Sequence, residues 1–161
     1  MSKMVTCLWF NGNQAREAAE FYASVFPDSH VGPGLAAPSD YPAGEQGDEL
    51  TVAFTVCGQS FLGLNGGPDR APNEAVSFQV FTDDQQETDR YWNAILDGGG
   101  QESRCGWCKD RWGFSWQIVP RALTRALADP DPAARGRAFQ AMITMGKIDI
   151  ARIEAARAET A

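Results

Sequence analysis

Cys105 and Cys108 lie three residues apart in RCGWCKDRWGFSWQIVP, residues 104–120. This is the spacing of a redox dithiol or of half a zinc site. A dithiol oxidoreductase carries its first cysteine at a helix N-terminus, which lowers the thiol pKa and brings both sulfurs within reach. Here the flanking residues read as β-strand. Residues i and i+3 of a strand point to opposite faces and lie about 10 Å apart, beyond the ~7 Å Cα separation that a disulfide tolerates. A zinc site needs two further ligands, typically a second close pair. Cys7 and Cys57 are not such a pair, and the one histidine is His30. The thiols are therefore read as structural or pocket-lining. Cys105 is also weighed as a nucleophile, although no base accompanies it in sequence.

Strand alternation assigns faces to the neighbouring side chains. Cys105 and Trp107 share one face, and Gly106 and Cys108 the other. In FSWQIVP, Phe114, Trp116 and Ile118 are expected to pack under helices, with Ser115, Gln117 and Val119 opposite. In AVSFQVF, Val76, Phe78 and Val80 form the core set, and Ser77 and Gln79 face the way of Gln117. Ser77, Gln79 and Gln117 would then form a polar spot on the concave side of a curved sheet. Such groups either line a pocket or satisfy one another at the surface.

These residues belong to a repeated plan. CLWFNGNQAREAAEFYASVF and AVSFQVFTDDQQETDRYWNAIL each read as an apolar strand, a polar turn and an amphipathic helix. A shift of 70 positions places Phe21 on Tyr91, Tyr22 on Trp92 and Val25 on Ile95, a stripe at i, i+1 and i+4. Each helix precedes β-rich sequence. ELTVAFTV and FLGLNGG, joined by CGQS, read as a hairpin. QESRCGWC and FSWQIVP read as two strands around the turn KDRWG. The stretch from Pro27 to Gly47 is rich in Gly and Pro and is expected to hold one short strand and a loop. The predicted organisation is a first βαβββ module at 1–70, a second at 71–120 and a helical extension at 121–161. In DPDP, Asp131 is an N-cap and Pro132 a first helical residue. Phe139, Met142 and Ile143 are expected to form a stripe, as are Ile150 and Ile153. The helices either cover an edge or partner subunit or pack on their own domain.

The bulk numbers exclude several function classes. The 161 residues carry a formal net charge of −7, with 43% apolar and 22% charged residues. An acidic chain repels phosphate backbones, so no nucleic-acid partner is expected. No apolar run is long enough to span a bilayer, and MSKMVTCLWFNGN lacks a secretory signal. A cytoplasmic location with reduced thiols is expected, and no membrane partner.

The motifs CLWFNGNQAREAAEFYASVFPDS, FLGLNGGP, AVSFQVF, GGGQESRCGWCKDRWGFSWQIVP and MGKIDIARIEAA together resemble the PhnB-like subfamily of the vicinal oxygen chelate superfamily. That superfamily includes glyoxalase I, bleomycin-resistance proteins and extradiol dioxygenases, and the subfamily carries the label 3-demethylubiquinone 3-methyltransferase. The resemblance implies an α+β fold of two βαβββ modules with curved mixed sheets, and homodimers, some with exchanged modules. It also implies a divalent metal held by His, Glu or Gln. The matching positions here are Ser77, Gln117, Asn65 and first-strand residues such as Thr6. Neutral Ser, Asn and Gln are weak ligands for transition metals, so neither metal nor cofactor is expected. The methyltransferase label lacks a strand–Gly-rich turn–helix cofactor site, since DGGG follows a helix and precedes a strand.

Three functions compete. The first is a metal-free protein binding a small, partly aromatic molecule with Trp9, Asn65, Ser77, Gln79, Cys105, Trp107 and Gln117. The second is an enzyme of the same fold, metal-dependent, Cys105-based or the methyltransferase of the label. The third is a dimeric interaction protein without ligand.

Overall fold

Period-two alternation sets the strands, and apolar pairs four residues apart set the helices. The computed structural model describes residues 3–159. The first strand–helix pair is β1 (Thr6–Phe10) and α1 (Ala15–Val25). It is followed by β2 (His30–Ala36), β3 (Glu49–Val56) and β4 (Gln59–Asn65). The plan then repeats as β5 (Ser77–Thr82), α2 (Gln85–Asp97), β6 (Gln101–Glu102), β7 (Trp107–Lys109) and β8 (Ser115–Pro120). Three helices close the chain: α3 (Arg121–Leu127), α4 (Pro132–Met142) and α5 (Ile150–Ala158). The chain divides into two compact units between Pro72 and Asn73.

In the first unit the strand order is β1-β4-β3-β2, with β1 parallel to β4 and the other pairs antiparallel. Leu8, Phe10, Val52, Phe54, Val56 and Phe61 are buried, as are Ala15, Ala18, Ala19 and Tyr22 of α1. Small residues let the helix approach the sheet: a Cβ added at Gly63 would lie 2.8 Å from the Ala15 Cβ. The other sheet face carries Cys7, Trp9, Thr51, Ala53, Leu62 and Leu64 in two cross-strand rows.

The second unit repeats that order as β5-β8-β7-β6, with β5 parallel to β8. The 70-residue shift holds at the helix starts, Ala15 and Gln85. Tyr91, Trp92 and Ile95 of α2 are buried, and so are Cys108, Phe114, Trp116 and Ile118 from the sheet region beneath. The N-cap of α2 is Asp84, whose side chain accepts from the Glu87 backbone N–H at 2.8 Å. The KDRWG turn is built on Asp110. Its Oδ1 accepts from the backbone N–H of Trp112 and Phe114, and its Oδ2 accepts from the Trp116 indole at 2.8 Å. These three donors account for a carboxylate that is only 4% exposed.

The terminal helices pack on this second unit. Val119, Leu123, Ala126, Ala138, Met145, Ile148 and Ile153 form one buried cluster. Asp131 caps α4 by accepting from Ala133 N–H, and Pro132 is its first residue. Gln85 ties α2 to the tail: its Nε2 donates to the Ile148 carbonyl and its Oε1 accepts from Ile150 N–H. Lys147 adds an ion pair to Asp89 at 2.7 Å.

Three expectations need correction. Cys105 is not in a strand. It sits in a turn with φ 58°, followed by Gly106 at φ 82°. Their N–H groups donate to the Met145 and Gly146 carbonyls at 2.8 Å, so the tail takes the place of a sheet neighbour. The extended-strand spacing between Cys105 and Cys108 therefore does not apply. Both thiols are free, and they are separated instead by a half-buried turn position and a core position. Next, Val76 precedes β5 and is 65% exposed, while Phe78 is half-buried; of that set only Val80 is in the core. Finally, α4 buries Ala134 and Ala138, leaving Phe139 and Ile143 at 47% and 41% exposure. Close contact with α3 and α5 is made through alanine, and the bulky pair falls on the opposite side.

Candidate functional site

Register on the second sheet places the chemistry-bearing side chains in rows. Ser77, Ser115 and Lys109 are cross-strand neighbours; so are Gln79, Gln117 and Trp107, and then Phe81 and Val119. This is the face opposite α2, because Phe78, Trp116 and Ile118 alternate with it. Gln117 lies at the centre. Its Nε2 donates to Ser77 Oγ at 2.8 Å, and its Oε1 accepts from Gln79 Nε2 at 3.2 Å. The Ser-Gln-Gln group expected from alternation thus forms one hydrogen-bonded chain, which fixes the direction of the central amide.

A cavity of about 430 Å³ opens on these rows. Gln79, Gln117, Trp107 and Cys105 form its polar and aromatic side. Leu123 and Leu127 of α3, with Met142 of α4, form its apolar side. Four of the seven residues singled out in the sequence therefore line one cavity, and Ser77 adjoins through its bond to Gln117. The apolar wall was not singled out, although Leu123 and Leu127 stand at i and i+4 in RALTRAL.

Trp9 and Asn65 belong to the first unit. The Trp9 indole donates to the Gly67 carbonyl at 2.8 Å, and Arg70 lies over its ring at 5.2 Å. Asn65 is 2% exposed and points toward α1. Its Oδ1 accepts from Ala15 N–H at 3.0 Å and its Nδ2 donates to the Glu49 carbonyl at 2.7 Å. Both ends of this amide are engaged by backbone, which gives Asn65 a structural role at the start of α1. Equivalent register sets Cys7, Trp9 and Leu64 of the first sheet where Ser77, Gln79 and Gln117 stand in the second. Among the described residues, the polar row stands in the second unit alone.

The thiols differ in character. Cys108 is 1% exposed, and burial, reinforced by the neighbouring Asp110 carboxylate, pushes its pKa up to about 12. It stays protonated near neutrality and is no nucleophile. Cys105 is half-buried at the cavity wall.

Two βαβββ units of identical strand order, each with one helix on one face, define the fold of the vicinal oxygen chelate superfamily. Residues 2–119 match the family model described as 3-demethylubiquinone-9 3-methyltransferase, and the chain belongs to that family. The PhnB protein of Bacillus cereus is similar in structure, with 26% identity and a TM-score of 0.65, covering 74% of this chain and 99% of that one. A Pseudomonas aeruginosa protein matches at 20% identity and TM-score 0.59, over 74% of this chain and 98% of its own. The fosfomycin resistance protein FosX of Mesorhizobium loti matches at 16% identity and TM-score 0.51, over 80% and 100%. Among proteins of curated function none matches in sequence.

The residues present fit neither group that these relationships suggest. Ser77 and Gln117 are neutral and bonded to each other. Among the described residues, no three His, Cys, Asp or Glu side chains are grouped to hold a metal ion. S-adenosylmethionine chemistry in a doubly wound enzyme uses a crevice at the carboxyl ends of a parallel sheet. Both sheets here are four-stranded and mixed, each with a single parallel pair. Among the described residues, no helix is long and apolar enough to cross a membrane.

Proposed function

We propose that this protein binds a small, partly aromatic molecule, without metal, in the cavity of its second module. The observation that carries the reading is the row Gln79–Gln117–Trp107 facing Leu123, Leu127 and Met142 across one cavity. About 430 Å³ suits a two-ring ligand, and pockets of this kind combine apolar walls with a few fixed polar groups. The amide chain supplies those groups. Trp107 supplies a flat surface for offset stacking.

Thermal unfolding with 2-naphthamide, 2-naphthol and S-adenosylmethionine tests the reading. The two naphthalenes are expected to raise the midpoint, and Met142→Trp, which adds bulk to the wall, is expected to abolish the rise. S-adenosylmethionine is expected to give none. Absence of any shift with the naphthalenes would overturn the proposal. A stoichiometric divalent ion in protein purified without chelator would favour a metal-dependent enzyme instead. A homodimer in the cytoplasm remains part of the proposed reading, and sedimentation at micromolar concentration reads the oligomeric state.

A further inference from the structure

A second cavity of about 360 Å³ shares Cys105 and Trp107 with the first. Its remaining lining has a different chemistry, with Arg104, Lys109 and Glu74 beside Ser115. Ser115 is 1% exposed, and its Oγ has no hydrogen-bond partner among the described residues. Buried hydroxyls are almost always bonded, so an orphan on a cavity wall marks a place where something else supplies the acceptor. The Arg104 guanidinium likewise has no partner among the described residues. Lys109 is held by Glu74 at 2.7 Å. With two cations and one carboxylate, the lining is net positive in a chain whose net charge is −7.

From this arrangement we infer that the two cavities hold one amphipathic anion. Its apolar body lies against Trp107, Leu123 and Met142. Its carboxylate or equivalent oxyanion passes Trp107 to accept from the Ser115 hydroxyl, with Arg104 as counter-charge. Lys109 joins as the incoming anion shares it with Glu74. The inference rests on the proposed binding function and adds the charge and orientation of the ligand. Charge-assisted hydrogen bonds at a partly desolvated site give such recognition its strength.

Calorimetric titration of the full chain at low ionic strength with 2-naphthoate and the neutral 2-naphthamide tests it. The carboxylate is expected to bind about tenfold more tightly, as one charge-assisted hydrogen bond allows. Arg104→Gln and Ser115→Ala are each expected to cut that preference roughly threefold or more, the carboxylate losing more affinity than the amide. Arg104 is exposed, so its substitution leaves the fold intact. Salt is expected to weaken the carboxylate selectively. Equal affinities in the parent protein, or a preference that survives both substitutions, would overturn the inference. If the amide binds and Met142→Trp blocks it while no preference for the carboxylate is seen, the pocket reading stands and this inference falls. If neither compound binds, both fall.

Discussion

The side-chain oxygen of Asn65 accepts the backbone N–H of Ala15 at 3.0 Å, joining the end of β4 to the start of α1 across fifty residues of chain. The helix has no side-chain cap of its own, since Gln14 at the N-cap makes no such bond. The second unit solves the same problem locally with Asp84. The two modules therefore share a topology and differ in how the helix start is held.

Asn65→Ala is expected to destabilise the protein by about 1–3 kcal/mol, because it leaves the Ala15 donor and the Glu49 carbonyl without that partner in a buried setting. A fall of several degrees in the unfolding midpoint should follow, at roughly 2–4 °C per kcal/mol for a chain of this size. Asn65→Asp keeps the acceptor but sets a buried carboxylate against the Glu49 carbonyl, so it should destabilise at least as much as Asn65→Ala. A midpoint unchanged in Asn65→Ala would show that the amide is dispensable.

Cys108 is expected to resist alkylation by iodoacetamide at pH 8 in the folded protein, while exposed Cys7 and Cys57 react. Its folded pKa of about 12 lies above the ordinary thiol value. Below that ordinary value both states keep the proton, and the thiol's contribution is intact. As pH rises toward 12 the unfolded chain loses the proton first, so stability falls across that window. Peptide mass mapping after labelling, with and without denaturant, reads the reactivity. Denaturant titrations at pH 8 and 10, compared with Cys108→Ala, read the linkage.

Ala138→Leu is expected to cost about 1–3 kcal/mol, since Ala138 is fully buried in the cluster with Leu123, Met145 and Ile153. Phe139→Ser, one residue on, should change stability by about 0.5 kcal/mol or less, because the ring is half in water. The two midpoints measured side by side decide which face of α4 packs. The reverse order would restore the stripe of Phe139, Met142 and Ile143.

The sequence by itself determined the repeated βαβββ plan, the 70-residue shift, the helix caps at Asp131 and the shared face of Ser77, Gln79 and Gln117. All of these are local: strand alternation, helical periodicity and cap chemistry act within a few residues. Tertiary structure decided the rest. Cys105 left the strand because carbonyls of Met145 and Gly146, forty residues away, accept its turn's N–H groups. Asn65 turned to α1 because Ala15 offered a buried donor. The apolar wall of the cavity arose only when α3 and α4 folded back over the polar row. Alternation fixes which side of a sheet a residue faces. What stands opposite that face depends on long-range packing, which no local pattern encodes.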